Sequence, residues 1–391
     1  MEYDILTKRQ LIGNILQQPD TLKKYKLFAE YEKKLGECVI FLFDEAHSSF
    51  DRTFQNQRIG QCEIVGLSDY TKTWILDRRS LNERAVFSCG KAIDFDLNVL
   101  SYLNDFMQGK RMGIDRKAFL EYLNYLKKYQ FRCEISTALM ERVCTPVDRA
   151  SLSQRILSFV RFDSVDVIDE ETPCAYLPPE KYDWAKELDE QTKGMARVGN
   201  LNAGIFNVLY CCVLKAALIK AEGGTVGEKR KELLRYSLDT LHCYMENELV
   251  LLALYLKDDN RTSRVFKKLR PGPELLKNAA NVTWDLFHLR LLEEIMLRDN
   301  TPNTGPVILP YFATADHGIV DVLELNPLRA LAIFDGRILP FHKMNIEEVC
   351  TEQALLNQIR NGSAKRMNEI RQMDILCIRQ QLEQQVRERL M

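Results

Sequence analysis

The alternation of apolar and polar residues is clearest over residues 92–103, AIDFDLNVLSYL. Ile93 and Phe95 alternate with Asp94 and Asp96, which is the two-residue period of a strand whose carboxylates share one face. The residues that follow are spaced as in an amphipathic helix, so the pattern predicts a strand that ends at Asp96 and continues into a helix. In open α/β sheets such strand ends usually carry the chemistry, which makes Asp96 the first candidate site residue.

Three further acidic residues lie in predicted elements or at their ends. Glu141 is placed early in a short helix that follows an extended segment, and Asp285 in a long helix over 274–298. Asp316 comes directly after an apolar run over 307–314, which reads as a buried strand. The same patterns predict that each of these acids is held by regular structure and does not belong to a long loop.

The expected fold class is α/β, with an open, mostly parallel sheet flanked by helices in three layers. Buried strands are also predicted at 39–43 and 331–334. The expected domain organisation has three parts. An N-terminal α/β segment covers 1–85, a core covers 86–335 and is interrupted by a helical insertion at 146–273, and a helical C-terminal extension covers 336–391.

Composition narrows the class of protein. The 391 residues include 54 Lys and Arg against 55 Asp and Glu, so no global field indicates nucleic acid or membrane, although a local basic groove is compatible with this balance. The longest apolar stretch, 205–219, is interrupted by Asn207 and Lys215, and the first ten residues contain no signal-peptide core. We therefore expect a soluble, cytoplasmic protein without membrane association. The 11 cysteines include no C-x-x-C pair, so spacing predicts no zinc site.

The four acids together indicate metal-dependent chemistry. Carboxylates that converge on one pocket raise one another's pKa, and the natural compensation is Mg²⁺ or Mn²⁺, hard ions that prefer oxygen ligands. Such ions activate water and stabilise the charge on a transferring phosphoryl group. The interpretation that follows is phosphodiester cleavage.

These motifs resemble the PIN-like nuclease family. In that family an Asp-x-Asn at the end of the first strand, a helical Glu, a helical Asp and an Asp in a Thr-x-Asp turn line one acidic pocket. The matching residues here are Asp96-Leu-Asn98, Glu141, Asp285 and Thr314-Ala-Asp316. The likeness covers about 86–145 and 274–335, with the helical insertion between its second and third acids.

The resemblance implies a Rossmann-like core and a metal-dependent ribonuclease. Asp96, Asp285 and Asp316 would hold Mg²⁺ or Mn²⁺, which would activate the attacking water, and Glu141 would be a further ligand or would orient that water. Asn98 would hold Asp96 or the metal-bound water in place. RNA is preferred over DNA as the nucleic-acid partner on the family likeness alone.

Two alternatives remain open. Asp94 is an extra carboxylate that competes with Asp96, and Asp94-Phe-Asp96 resembles the nucleophile signature of haloacid-dehalogenase-like phosphatases. In that reading Asp94 would form an aspartyl-phosphate, Asp96 would be the general acid, and Asp316 with Asp321 would bind metal. The other alternative is a non-catalytic PIN-like platform. In each reading the spaced apolar residues of the C-terminal helix would pack on the body, on a second copy or on a protein partner.

Overall fold

The buried apolar runs of the chain form two small sheets, and about 60% of the residues are helical. The structure is a computed structural model, and it describes residues 5–43, 45, 46, 48–81, 88–143, 149–169, 184–300 and 305–391. Within these residues the strands are β1 (Cys38–Leu42), β2 (Gln57–Ile59), β3 (Cys62–Gly66), β4 (Trp74–Leu76), β5 (Cys89–Phe95), β6 (Phe131–Glu134), β7 (Val307–Thr314), β8 (Leu328–Phe334) and β9 (Arg337–His342).

The α-helices of the same residues precede, connect and follow these strands along the chain. They are α1 (Ile5–Leu16), α2 (Thr21–Leu35), α3 (Leu97–Met107), α4 (Arg116–Lys128), α5 (Ser136–Val143), α6 (Arg149–Asp163), α7 (Trp184–Ala221), α8 (Val226–Arg235), α9 (Glu246–Leu256), α10 (Ser263–Phe266), α11 (Leu275–Asp299), α12 (Gly318–Leu325), α13 (Gln353–Asn361), α14 (Ser363–Ile370) and α15 (Ile375–Leu390).

The five-stranded sheet has the order β2-β3-β7-β5-β6. Strand β5 lies between β7 and the outer strand β6 and runs parallel to both, whereas β3 runs antiparallel to the central strand β7. The chain leaves β5 through α3 and α4 to reach β6 on one side, and later returns to β7 on the other side. The direction of the connections among the three parallel strands therefore reverses between β5 and β7, and ligands often bind at the carboxyl ends of strands at such a point.

The four-stranded sheet has the order β4-β1-β8-β9 and is antiparallel. β1 pairs with β8 in the register Cys38↔Phe334 to Leu42↔Ala330. The turn between β8 and β9 is Asp335-Gly336, and both residues have positive φ, at 49° and 64°. A two-residue hairpin turn often requires positive φ at both of its residues, and an Asp-Gly pair adopts this conformation with little strain.

The predicted fold class, one open and mostly parallel sheet in three layers, is wrong. The strands divide between an antiparallel and a mixed sheet, and only β5, β6 and β7 are parallel to one another. The physical reason is that a fully buried run such as β1 shows that both faces are covered but contains no information on strand direction. The predicted strand at 331–334 forms the end of β8 in the antiparallel sheet.

Two compact units divide the chain. Unit 1 comprises Met1–Ala196, Arg290–Asp316 and Leu328–Phe341, and unit 2 comprises Arg197–Leu289, His317–Pro327 and His342–Met391. Both sheets lie in unit 1, apart from the last residue of β9, so the strands of the predicted N-terminal segment share a unit with β5 and β7. In unit 2 the described regular structure is helical, and α15 buries Leu382 and Val386 within it.

One described segment, Ala203–Ala221, is long and apolar enough to cross a membrane, with a mean hydropathy of 1.6. The protein buries 72% of this window. Buried core helices of soluble proteins share this composition, so the segment is weak evidence of a membrane span.

Candidate active site at the carboxyl end of β5

Asp96 joins β5 to α3 and is fixed at both of these elements. Its backbone N–H donates to the carbonyl of Ala313 in β7 at 2.9 Å, which continues the sheet ladder. Its Oδ1 accepts from the backbone N–H of Val99 at 2.6 Å, so the carboxylate caps the N-terminus of α3. An aspartate is favoured here because its side chain satisfies a helix N–H that has no partner within the helix.

Thr314, the last residue of β7, links Asp96 to Asp316. Its hydroxyl donates to Oδ2 of Asp96 at 2.7 Å and accepts from the backbone N–H of Asp316 at 2.9 Å. Thr314 and Asp96 are buried, whereas Asp316 is exposed. The ends of two parallel strands thus bring together three of the residues that the sequence indicated.

The electrostatics of this group show an excess of negative charge. Burial raises the pKa of Asp96 to about 6, against the lowering effect of the hydrogen bonds from Val99 and Thr314, and the nearby charge of Asp316 raises it further. The negative charge of Asp316 therefore disfavours ionisation of Asp96. A cation placed between them would reverse this effect.

Asp94 lies on the same strand but is enclosed. Both of its carboxylate oxygens accept from Thr137 at the start of α5, through the backbone N–H at 3.1 and 3.2 Å and through the hydroxyl at 2.8 Å. Only 1% of Asp94 is exposed, and burial raises its pKa to about 7. No local pattern in the sequence predicts this bond, because its two partners lie 43 positions apart in the chain.

The other two residues predicted in unit 1 stand on neighbouring helices. Glu141 is half-buried on α5, which packs against β5 and α3. Asn98 is exposed in the first turn of α3, two residues after Asp96. The short distance along the chain keeps Asn98 close to the strand end, whereas Glu141 is carried by a helix that packs beside the strand.

Asp285 belongs to unit 2, where it lies on α11 and is half-buried. Its carboxylate rests against Gly318, the first residue of α12. A Cβ atom built on Gly318 would lie 2.5 Å from Oδ1 of Asp285 and 2.6 Å from Oδ2. The absence of a side chain at Gly318 is what allows this close approach.

No group of three or more His, Cys, Asp or Glu side chains in the described part of the chain is arranged to hold a metal ion. The pair Asp96 and Asp316 nevertheless has the right donor chemistry for Mg²⁺ or Mn²⁺, since both offer carboxylate oxygens. Each oxygen of a carboxylate has two acceptor sites, so the bonds from Val99 and Thr314 leave Asp96 able to bind a cation.

Comparison of the chain with protein-family models, with curated proteins and with solved structures gave no match. The functional assignment therefore depends on the residues at the carboxyl ends of β5 and β7 and on their chemistry.

Proposed function

We propose that the chain is a metal-dependent nuclease that hydrolyses phosphodiester bonds. The observation that carries the proposal is the linked group Asp96, Thr314 and Asp316 at the point where the sheet connections reverse. RNA as the substrate, and the cytoplasm as the location, follow from the PIN-like resemblance and from the composition of the sequence.

Asp96 and Asp316 would hold Mg²⁺ or Mn²⁺, which when bound activates water and stabilises negative charge on the phosphoryl group. Thr314 keeps the carboxylate of Asp96 in one orientation, and the capping bond from Val99 fixes its other oxygen. Glu141 would accept a proton from the attacking water or orient it. Asp285 as a further ligand stays a prediction from the resemblance, which its own variant tests.

The decisive experiment uses the purified chain with labelled single-stranded RNA, single-stranded DNA and a phosphomonoester, in Mn²⁺ and in EDTA. The variants are Asp96→Asn, Asp316→Asn and Asp285→Asn. Asp321→Asn is the matched control, because Asp321 lies on α12 and pairs with Arg264 at 3.4 Å. We expect metal-dependent strand cleavage that each of the three site variants reduces at least a hundredfold and the control leaves unchanged. RNA that stays intact in Mn²⁺, or cleavage that survives Asp96→Asn, overturns the proposal.

The phosphatase alternative requires Asp94 to attack a phosphoryl group. The burial of Asp94 and its bonds to Thr137 oppose this role, because both oxygens face protein donors. The same assay separates the two functions. Phosphomonoester turnover that is lost in Asp94→Asn and in Asp321→Asn would favour the phosphatase.

The platform alternative requires an exposed apolar stripe on the C-terminal helix. On α15, Leu382 and Val386 are buried, and the guanidinium of Arg379 lies over the ring of Tyr210 at 4.7 Å. Arg379 also donates to Asn207 at 2.9 Å. Much of the apolar face of α15 therefore packs within unit 2, which leaves less of it for a second copy or a partner helix.

A further inference from the structure

A lysine on β5 is enclosed by aromatic rings. The Nζ atom of Lys91 lies 4.4 Å from the ring centroid of Phe54 and 5.4 Å from those of Tyr129 and Phe131. Lys91 as a whole is only 8% exposed. The rings attract the ammonium group through their negative faces, which offsets part of the cost of removing it from water.

The ammonium group of Lys91 forms no hydrogen bond or salt bridge with the residues that the structure describes. Burial lowers its pKa, and the charge of Asp51, which acts over a longer distance, raises it. Buried ammonium groups are normally paired, because an unpaired charge away from water is costly. A buried ammonium group without an anionic partner in the described residues indicates that a bound ligand supplies the anion.

The surface around Lys91 adds more rings and more positive charge. Phe54, Tyr125 and Tyr129 are half-exposed, and the centroids of the two tyrosine rings are 4.4 Å apart. The Nζ atom of Lys128, an exposed residue, lies 5.5 Å from the ring of Tyr129. We call this surface the aromatic–lysine patch and define it as Phe54, Lys91, Tyr125, Lys128 and Tyr129.

We propose that the aromatic–lysine patch binds single-stranded nucleic acid. Exposed rings stack on unpaired bases of any sequence, and lysines neutralise the phosphates between them. The exposed Arg52, two residues before Phe54, adds a third positive charge beside the patch. Duplexes fit less well, because their bases are already stacked on one another.

The patch is separate from the acids of the proposed active site. Lys91 precedes Asp96 by five residues on the same strand, which corresponds to about 16 Å, and the two residues have opposite parity along the strand. Carboxylates repel phosphates, so an acidic site gains little affinity for nucleic acid without a basic surface elsewhere. The role of the patch in holding a substrate rests on the proposed nuclease function. Binding of single-stranded nucleic acid by the patch does not depend on that function.

Binding can be measured without cleavage, by fluorescence polarisation of labelled oligouridine of about twelve nucleotides in EDTA. We expect Lys128→Glu and Tyr129→Leu each to weaken binding about tenfold. Lys277→Glu is the matched control, because Lys277 is an exposed lysine of unit 2 whose surface pair with Glu274 contributes little stability. Its affinity should equal that of the wild type.

Lys91→Met separates a binding role from a structural one. Loss of a buried unpaired charge should raise the melting temperature, while loss of the phosphate partner should weaken binding about tenfold. A lower melting temperature with unchanged affinity would mean that Lys91 only supports the fold, and would overturn the proposal.

The remaining outcomes are also decisive. Absence of oligouridine binding by the wild type, equal affinity in the patch variants and in Lys277→Glu, or equal affinity for a duplex each overturns the proposal. Failure of the nuclease proposal gives a different result. RNA would stay intact in Mn²⁺, while the patch variants would still weaken the binding of oligouridine in EDTA.

Discussion

At the scale of single residues, the hydroxyl of Thr314 serves as a donor and as an acceptor at the same time. It donates to Asp96 and accepts from the backbone N–H of Asp316. Valine has nearly the same shape as threonine but offers neither a donor nor an acceptor. The Thr314→Val substitution therefore tests the hydrogen bonds with little change in packing.

We expect Thr314→Val to lower the free energy of unfolding by about 1–3 kcal/mol, because it leaves a buried carboxylate with one donor fewer. Nuclease activity should fall at least tenfold, since Asp96 is then free to rotate. Urea unfolding and cleavage assays check the two effects. Thr314→Ser should restore most of both, and equal behaviour of the Val and Ser variants would contradict the assigned role.

The close approach of Gly318 to Asp285 leads to a second prediction for a single residue. An alanine Cβ would lie 2.5 Å from Oδ1 of Asp285, so the carboxylate or the start of α12 has to move. We expect Gly318→Ala to destabilise the protein by about 1–3 kcal/mol in urea unfolding. If Asp285 serves the proposed reaction, cleavage should also fall.

The matched control for this prediction is Gly204→Ala on α7, where an added Cβ has no atom within 4 Å. Alanine should stabilise that helix by about 0.5–1 kcal/mol. A Gly318→Ala protein as stable as this control would show that the close approach to Asp285 is unimportant.

His288 couples stability to pH. It is buried on α11, and burial lowers its pKa to about 3 from an ordinary 6.5. Because the folded protein resists protonation of His288, its stabilising contribution is complete above pH 6.5 and is lost as the pH falls towards 3. The loss should be about 1.4 kcal/mol for each pH unit below 6.5.

Urea unfolding of wild type and His288→Leu from pH 8 to pH 4.5 measures this contribution. The difference in unfolding free energy between the two proteins should shift in favour of the variant as the pH falls. A difference that stays constant across the range would mean that His288 becomes protonated in the folded protein as readily as in the unfolded chain.

At the scale of elements, the sequence patterns located the pieces around the site with few errors. The strand that ends at Asp96, the strand over 307–314 and the helix over 274–298 are confirmed as β5, β7 and α11, the helix within a residue at each end. Amphipathic and buried periods are local properties, and these three segments are long enough to express them. The capping role of Asp96 at the start of α3 was not predicted and is a finding of the structure.

The sequence patterns could not predict which elements pair with one another. The bond of Asp94 to Thr137 and the aromatic surroundings of Lys91 depend on β6 lying beside β5, which no local pattern states. The division into two sheets followed from pairing of β1 with β8, which are separated by almost the whole chain. The Asp335-Gly336 pair was the one local signal of an antiparallel hairpin there.

Lys8 connects α1 to that hairpin. Its ammonium donates to both carboxylate oxygens of Asp335, at 2.8 and 2.7 Å, and Lys8 itself is buried. We expect Lys8→Met to lower the unfolding free energy by about 1–3 kcal/mol, because both charge-assisted hydrogen bonds to Asp335 are lost.

A double-mutant cycle with Asp335→Asn measures this pair. Asparagine tolerates the positive φ at this turn and carries no charge, so the double variant should recover part of the loss. Strict additivity of the two substitutions would mean that the pair contributes nothing to the hairpin.

At the scale of the whole molecule, the balance of charges sets how nucleic acid would be bound. The formal net charge is −1, so affinity has to come from a local surface and not from the overall field. With the two lysines of the patch and Arg52, three cations in all, the slope of log affinity against log salt for single-stranded RNA should be about −2. Polarisation titrations from low to moderate salt measure it.

The Lys128→Glu variant should reduce that slope by about 0.7. A wild-type slope of about −6 would require many more phosphate contacts than the patch contains, and would place the main binding surface elsewhere.

The outer strands of the two sheets affect the tendency of the protein to aggregate at high concentration. An uncovered sheet edge can recruit the edge of another molecule and begin aggregation. Among the described strands, β2, β4 and β6 are outer strands of three or four residues, whereas the outer strand β9 has six. Pro340 lies in the middle of β9 and has no N–H to offer a neighbour. Replacing it with threonine would remove that protection, and light scattering at high concentration would then show growing assemblies.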